Sequence, residues 1–376
     1  MLSTISLNDI KNYKIHGRTG TTRNPLALFW TGSGIEFNSK SSELWIEVEA
    51  DYEVYEPWIS ILVNDAWVSR QMITKGRQWV CVFRNMDGQK SKNIKIMKDV
   101  QAMSGDNSHC LLIHGVRTDG SFLPVEDKAL KLEFIGDSIT SGEGTIGAKS
   151  EEEWISMWFS SQNNYTAMTA MDLLAEYRII SQSGFGVHSS WDNNPAGALP
   201  LYYKEICGLA LGEKNALLGA QDVNDFFAWI PNIIVINLGT NDAGAFSSPE
   251  WRDEKTGKVF QQRCHEDGSY YQEDTDRFIE STVNFLNLVR ACNPESYILW
   301  AYGILGTPML SYIKEGISTY QKNTQDTRVS LLVLPEMTPE GTGARTHPGT
   351  GAHRAAADVL VTEIKKIIKS EEMQIK

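Results

Sequence analysis

Short runs of alternating apolar and polar residues dominate the first 120 or so positions of the chain. SELWIEVEA at 42–50, WISILVND at 58–65, QWVCVFRN at 78–85 and CLLIHGVR at 110–117 each send every second side chain to one face, as a half-buried strand does. Turn residues separate these runs, and no stretch with apolar residues three and four apart interrupts them. Regularly spaced short strands predict a β-sandwich. GSFLPVEDKA at 120–129 mixes Gly, Pro and charges between two apolar runs and reads as a crossover. The expected division is therefore a β-sandwich over 1–122 and a second domain over 130–376.

The pattern changes from KLEFIG onward. KLEFIG is a short strand, YTAMTAMDLLAEY at 165–177 has helical spacing, and RIISQ begins another strand. PNIIVINLGTND at 231–242 holds the most continuous apolar strand. DRFIESTVNFLNLVRACNP at 276–294 is an amphipathic helix with Phe278, Phe285 and Val289 near one face, and Pro294 ends it. SYILWAYG at 296–303 and RVSLLVLP at 328–335 are two more strands. A final helix over 350–369 carries a stripe of Ala356, Leu360, Ile364 and Ile367. Strands alternating with helices predict an α/β domain with a largely parallel sheet. Its ligands are expected beyond the carboxyl ends of the strands.

Composition narrows the function. The 376 residues suit two domains, and 41% hydrophobic residues suffice for two ordinary cores. The net charge is −12 with no block of Lys and Arg, so nucleic-acid binding is not expected. The five cysteines (Cys81, Cys110, Cys207, Cys264 and Cys292) are widely spaced with no C-x-x-C pair, which reads as free thiols rather than disulfides or a zinc site. No apolar run reaches about 18 residues, so no membrane association is expected. The opening MLSTISLNDIKNYKI lacks the apolar core of a signal peptide. A cytoplasmic protein is the expectation, although a secreted protein stripped of its leader reads the same. The oligomeric state is not legible.

Candidate chemistry gathers at predicted strand ends. Ser138 follows KLEFI within Gly136-Asp137-Ser138-Ile139-Thr140. A serine there presents its hydroxyl near helix amides that lack an intrahelical partner; read locally, Asp137 or Ser138 simply caps a helix. Ser183-Gly184-Phe185-Gly186 follows RIISQ, and its glycines let backbone N–H groups approach a ligand. Gly239-Thr240-Asn241-Asp242 follows PNIIVINL, where an Asn amide can donate to an oxygen gathering negative charge. His347-Pro348 lies after the last strand. Three such loops at consecutive strand ends, with a histidine at the same edge, fit one site better than three accidents.

The order Gly-Asp-Ser, Gly, Gly-x-Asn-Asp, His resembles the SGNH (GDSL-like) hydrolase superfamily over residues 131–369. With the β-rich domain ahead of it, the chain looks most like carbohydrate esterase family 2, acetyl xylan esterases that join a jelly-roll domain to an SGNH domain. His16-Gly17-Arg18 and Trp300-Ala301-Tyr302-Gly303 add to the likeness. The resemblance implies that Ser138 attacks an acetyl carbonyl and that His347 is its base. It implies an oxyanion hole of the Ser138 N–H, the Gly184 N–H and the Asn241 amide. The implied substrate is an acetylated plant polysaccharide or oligosaccharide such as xylan or glucomannan, and no cofactor or metal is implied. Asp137 and Asp242 are expected to hold loops.

One departure from the pattern stands out. Most of the superfamily carries an Asp two or three residues before the His, but here those positions are Arg345 and Ala344. Either a backbone carbonyl within Gly343–Thr346 takes the imidazole N–H, or Glu336 or Glu340 folds back to do so, or the site is degraded. The preferred reading is a Ser–His dyad oriented by a carbonyl.

Around the site, Trp300 at the end of SYILW and Trp191 in GVHSSWDNNP are expected as substrate-binding walls, with closure of the core the alternative for Trp300. Among Trp30, Trp45, Trp58, Trp67 and Trp79 of the first domain, one or two are candidates for a sugar-stacking face, and core packing is the alternative. The loop 243–275 is polar and lies beside the site. Two other functions compete with a carbohydrate acetyl esterase. One is a non-catalytic carbohydrate-binding protein with a degraded hydrolase site. The other is a short-chain acyl esterase or thioesterase, which needs an apolar groove that the polar loops do not suggest.

Overall fold

The structure, a computed structural model, describes residues Met1–Glu371. It divides into two compact units. The first comprises Met1–Lys128, Glu153–Gln162 and Lys204–Asn224; the second comprises Ala129–Glu152, Asn163–Tyr203 and Asp225–Lys376. The continuous division expected at 122/130 therefore lacks two excursions, 153–162 and 204–224, which fold with the first unit. Burial inside that unit accounts for them. Phe159 packs with Val100 and Met103, and the Ile206 carbonyl accepts a hydrogen bond from the Trp30 indole at 2.6 Å.

The first unit contains strands β1 (Ser3–Ser6), β2 (Tyr13–His16), β3 (Leu26–Ala27), β4 (Gly34–Lys40), β5 (Leu44–Asp51), β6 (Trp58–Val63), β7 (Ala66–Met72), β8 (Gly76–Phe83), β9 (Ser91–Lys98), β10 (Cys110–Thr118) and β11 (Ser121–Leu123). They make two antiparallel sheets. One runs β1-β10-β5-β8 with β3 beside β10, and the other runs β11-β4-β9-β6-β7 with β2 beside β4. The period-two pattern explains the sandwich directly. Along β5, Leu44, Ile46, Val48 and Ala50 are buried while the residues between them are half-buried. Ile35, Phe37, Ile59, Ile61, Ile94, Ile96 and Ile113 from the other strands complete the same core. Of the five tryptophans here, Trp30 is a core residue and Trp67 is exposed. A short helix, α3 (Glu213–Leu217), belongs to the second excursion.

The second unit is built on five parallel strands: β12 (Lys131–Gly136), β13 (Glu176–Ser181), β14 (Ile233–Asn237), β17 (Tyr297–Tyr302) and β18 (Val329–Val333). A small hairpin, β15 (Trp251–Arg252) with β16 (Val259–Phe260), lies apart from them. The sheet order is β13-β12-β14-β17-β18. The chain goes from β12 to one side and then returns to the other, so β12 lies at a switch point, where open α/β sheets hold their ligands. Register makes this concrete: Gly136, the last residue of β12, lies opposite Ser181 on one neighbour and Asn237 on the other. The loops starting at 137, 182 and 238 therefore leave one edge side by side.

Helices α1 (Ser138–Ser141), α2 (Tyr165–Asp172), α4 (Thr240–Ala245), α5 (Gln272–Cys292), α6 (Leu310–Thr324) and α7 (Thr350–Ser370) complete the unit. The stripe expected on the last helix is buried: Ala356, Leu360, Ile364 and Ile367 share a core with Phe134, Val235, Leu299 and Tyr165. Phe278, Phe285 and Val289 line the buried face of α5. The helix expected over 165–177 ends at Asp172. Leu174 adopts a left-handed φ of 51°, and Glu176 already pairs with Lys131 in the sheet. Among the described residues no helix is long and apolar enough to cross a membrane.

Candidate active site

The strand-to-helix turn after β12 carries Ser138 as the first residue of α1. The cap is Asp137, not Ser138: its carboxylate accepts the Ile139 N–H at 3.0 Å. Ser138 is left with its hydroxyl free of capping duty and 7% exposed. Burial pushes the Asp137 carboxyl up to about 7, the neighbouring charges of Asp242 and Glu143 add to this, and the Ile139 amide opposes it. A carboxyl so placed serves the turn.

His347 meets this serine. Its Nε2 lies 2.9 Å from Ser138 Oγ, and its Nδ1 lies 2.8 Å from the Arg345 carbonyl oxygen. A carbonyl only accepts, so Nδ1 carries the hydrogen and Nε2 presents its lone pair to the Ser138 hydroxyl. The carbonyl reaches back because Arg345 and Thr346 both take left-handed conformations, with φ of 54° and 55°. Such a conformation in a non-glycine residue costs about 1–3 kcal/mol, so the surroundings must hold it. They do: Arg345 N–H donates to the Glu151 carbonyl at 2.8 Å, its Nη1 to the Glu152 carbonyl at 2.6 Å and its Nε to Glu143 Oε1 at 3.0 Å. Ala344 N–H donates to the Gly144 carbonyl at 2.9 Å. Gly144, at φ 71°, has to be a glycine, since a Cβ there would lie 2.7 Å from the His347 Cβ.

Glu336 and Glu340 are both exposed, and the imidazole N–H is already taken by Arg345. Glu336→Gln and Glu340→Gln are each expected to retain activity within about tenfold of the parent, whereas losing a true orienting carboxylate costs on the order of 10⁴. Steady-state turnover on a small aryl acetate separates these outcomes.

The other two loops arrive beside Ser138 for stated reasons. Gln182 N–H donates to the Gly136 carbonyl at 3.2 Å, carrying the chain past the end of β12 to Gly184. Gly184 has φ 82°, and the Trp191 indole lies against it, 3.1 Å from where a Cβ would be. Asn241, near the start of α4, donates through Nδ2 to the Phe185 carbonyl at 2.9 Å. That bond fixes the amide's rotation and commits one of the two Nδ2 hydrogens. Asp242 is fully buried and accepts the Val187 and His188 amides at 2.8 Å and the Ser189 amide at 3.4 Å, tying the Gly184 loop to α4. Burial pushes its carboxyl up to about 6 against the pull of those amides.

Trp191 is 56% exposed, so its ring is open to solvent, and its backbone N–H donates to the Gly184 carbonyl at 3.1 Å, holding it next to the loop. Trp300 is corrected: it is no wall. It is fully buried, pairs with Ile236 and Leu331 inside the sheet, donates Nε1–H to the Leu238 carbonyl at 3.1 Å and meets Phe285 edge-on at 6.4 Å. The strand continues to Tyr302, so Trp300 lies within it rather than at its end.

The remaining histidines are occupied elsewhere. His16 and His114 bond Glu36 and Glu49 at 2.7 and 2.8 Å, His109 is buried in the first unit, His188 bonds Ser281 at 2.7 Å, and His265 stacks on Tyr271. His353 accepts the Tyr165 N–H at Nδ1 (3.3 Å) and so donates from Nε2 to Thr145 at 3.0 Å; burial drives it down to about 3. Glu143 was not anticipated. Its Oε1 lies 3.7 Å from His347 Nε2, and the sole signal for it was its place in the Gly-flanked turn just after the Ser138 helix. Among the described residues no group of three or more His, Cys, Asp or Glu could hold a metal ion.

A β-sandwich joined to a parallel sheet, with a Ser–His pair where the strands end, is the architecture of an SGNH-type serine hydrolase. Comparison with known proteins narrows this. No profile of a known family matches the chain. An acetyl xylan esterase (Est2A) from the rumen bacterium Butyrivibrio proteoclasticus is 40% identical, with a TM-score of 0.97 covering 98% of this chain and 99% of that one. A family two carbohydrate esterase from Clostridium thermocellum, solved with cellohexaose, is 23% identical with a TM-score of 0.78 over 95% of this chain and 99% of that one. An acetylxylan esterase / glucomannan deacetylase of Cellvibrio japonicus is 32% identical over 133 residues, 34% of each protein. The chain spans 34% to 57% of the length of the curated relatives it matches. The chain belongs to carbohydrate esterase family 2.

Proposed function

We propose that the protein is a carbohydrate O-acetyl esterase that releases acetate from acetylated plant polysaccharides or their oligosaccharides, of the xylan or glucomannan kind. The observation that carries this reading is the 2.9 Å contact between Ser138 Oγ and an imidazole whose other nitrogen is committed to the Arg345 carbonyl. Ser138 Oγ attacks the acetyl carbonyl carbon as its proton passes to His347 Nε2. The oxyanion is received by the Ser138 and Gly184 N–H groups and the Asn241 amide. The bond to the sugar oxygen then breaks, and His347 returns the proton to that oxygen. A water, deprotonated by His347, attacks the acetyl-enzyme, and acetate leaves as Ser138 regains its proton.

An intact Ser–His pair counts against a degraded, purely sugar-binding site. Hydrolysis rates on acetylated xylan and glucomannan fragments, set beside p-nitrophenyl esters of increasing chain length, test the reading. Acetate release from the saccharides and a falling rate with longer acyl chains support it. A preference for long acyl chains with inert saccharides contradicts it.

Trp191 supplies the sugar wall in this reading, because a flat exposed ring beside the Gly184 loop suits the apolar face of a pyranose. Trp191→Ala is expected to raise KM on acetylated oligosaccharides roughly tenfold, as loss of a stacking contact worth about 1 kcal/mol or more would do. KM on a small aryl acetate should change little. An equal loss on both substrates assigns Trp191 to shaping the Gly184 loop instead.

A further inference from the structure

Resting on the reading of Ser138 and His347 as nucleophile and base, we propose that Glu143 and Arg345 form a positioning pair for His347, supplying from the Nε2 side the negative charge that a triad carboxylate supplies from the Nδ1 side. Glu143 is 3% exposed and stands in the turn directly after α1, between Gly142 and Gly144, both at positive φ. Its N–H donates to the Ser138 carbonyl at 3.0 Å, so its position is tied to the nucleophile's own backbone. Its Oε1 faces the Arg345 guanidinium, with Nε at 3.0 Å, and the His347 imidazole, with Nε2 at 3.7 Å.

This geometry has a chemical consequence. In the resting site His347 is neutral and accepts from the Ser138 hydroxyl. When the Ser138 proton moves to Nε2, a positive charge arises 3.7 Å from the Glu143 carboxylate, and an opposite charge at that range favours the protonated imidazole. The carbonyl on Nδ1 orients the ring but carries no full charge, so Glu143 fills the electrostatic gap left by Arg345 and Ala344 standing where the superfamily keeps an Asp. Arg345 plays two parts. Its backbone carbonyl orients Nδ1, and its guanidinium partly neutralises the Glu143 charge that faces Nε2. The titratable and charged groups that face His347 are thus Glu143 from the turn after α1, Arg345 from its own loop and His353 from α7. Burial, followed by the charge of His347, holds His353 neutral.

The test is a pH–rate profile of kcat/KM on a small aryl acetate, with thermal melting of every variant. Glu143→Gln keeps the size of the side chain and an acceptor for Arg345 Nε but removes the charge. It is expected to lower kcat roughly ten- to a hundredfold, less than the order of 10⁴ lost with a triad carboxylate, and to move the acid limb about one unit to lower pH. Arg345→Met removes the neutralising guanidinium and should move the same limb to higher pH. Opposite movements of the limb are what a merely structural pair would not produce. A Glu143→Gln enzyme with the parent's rate and limb overturns the proposal, as do rate losses in both variants with the limb unmoved, or loss of folding in both. If Arg345→Met alone fails to fold, the direction of the Glu143→Gln limb decides. Ser138→Ala assayed alongside separates the two levels: if it keeps its turnover, the nucleophile assignment has failed, whereas an inert Ser138→Ala with an unaffected Glu143→Gln sinks only the positioning pair.

Discussion

Ser138→Ala is expected to lose nearly all ester hydrolysis while melting close to the parent. The loss follows from chemistry: without Oγ there is no acyl acceptor, and in a comparable serine hydrolase removing the nucleophile lowers kcat on the order of 10⁶-fold. The retained stability follows from structure. Asp137 caps α1, and the Ser138 hydroxyl makes one side-chain hydrogen bond, to His347. Losing it costs about 1 kcal/mol. His347→Ala is expected to fall by a similar factor, and the double variant no further, because the two groups act as one unit. Turnover on p-nitrophenyl acetate and thermal unfolding of the three variants check this. Substantial turnover in Ser138→Ala would move the nucleophile elsewhere.

Trp300→Ala is expected to have the largest effect on stability among the site-proximal substitutions and none that depends on the sugar. The indole is fully buried, edge-on to Phe285 of α5, and projects from β17, whose backbone pairs with β14 and β18 on either side. Truncation leaves a cavity the rigid sheet cannot close, at about 3–5 kcal/mol, and deprives the buried Leu238 carbonyl of its indole donor. For a domain of this size that is a fall in Tm of roughly 10 °C. Trp300→Phe should lose less. KM is expected to move together for oligosaccharide and aryl acetate. An unchanged Tm with KM raised only for the oligosaccharide would restore Trp300 to the binding wall.

The sequence was most legible where periodicity and burial coincide. β5 and the α7 stripe read directly, because each needs one buried face and the residues repeat at the period of that face. Helix α6 went unread. It has no side-chain N-cap, and its buried positions, Ile313, Gly316, Ile317 and Tyr320, are few and include a glycine. The excursions 153–162 and 204–224 lack any repeat, and their burial depends on distant partners such as Trp30. At the site, Ser138, Gly184 and Asn241 were legible as neighbours because parallel strands end at a common edge. Trp300 was misread because the strand runs two residues beyond it. The carbonyl that holds His347 has no residue type to announce it; what matters is the φ of Arg345 and Thr346, which composition does not encode. Glu143 in a Gly-flanked turn reads as a solvated charge until the turn is seen folded against Arg345.

The central claim is that catalysis passes through an ester of Ser138, and the acetyl-enzyme itself is the most direct evidence for it. The enzyme is mixed with an excess of aryl acetate, quenched in acid during turnover and digested, and its peptides are weighed. The predicted result is one added acetyl group on the peptide that contains Ser138, absent from Ser138→Ala and lost on chasing the parent with substrate-free buffer before the quench. Turnover with no acetylated peptide, or acetylation that maps to another side chain and persists in Ser138→Ala, would contradict the account.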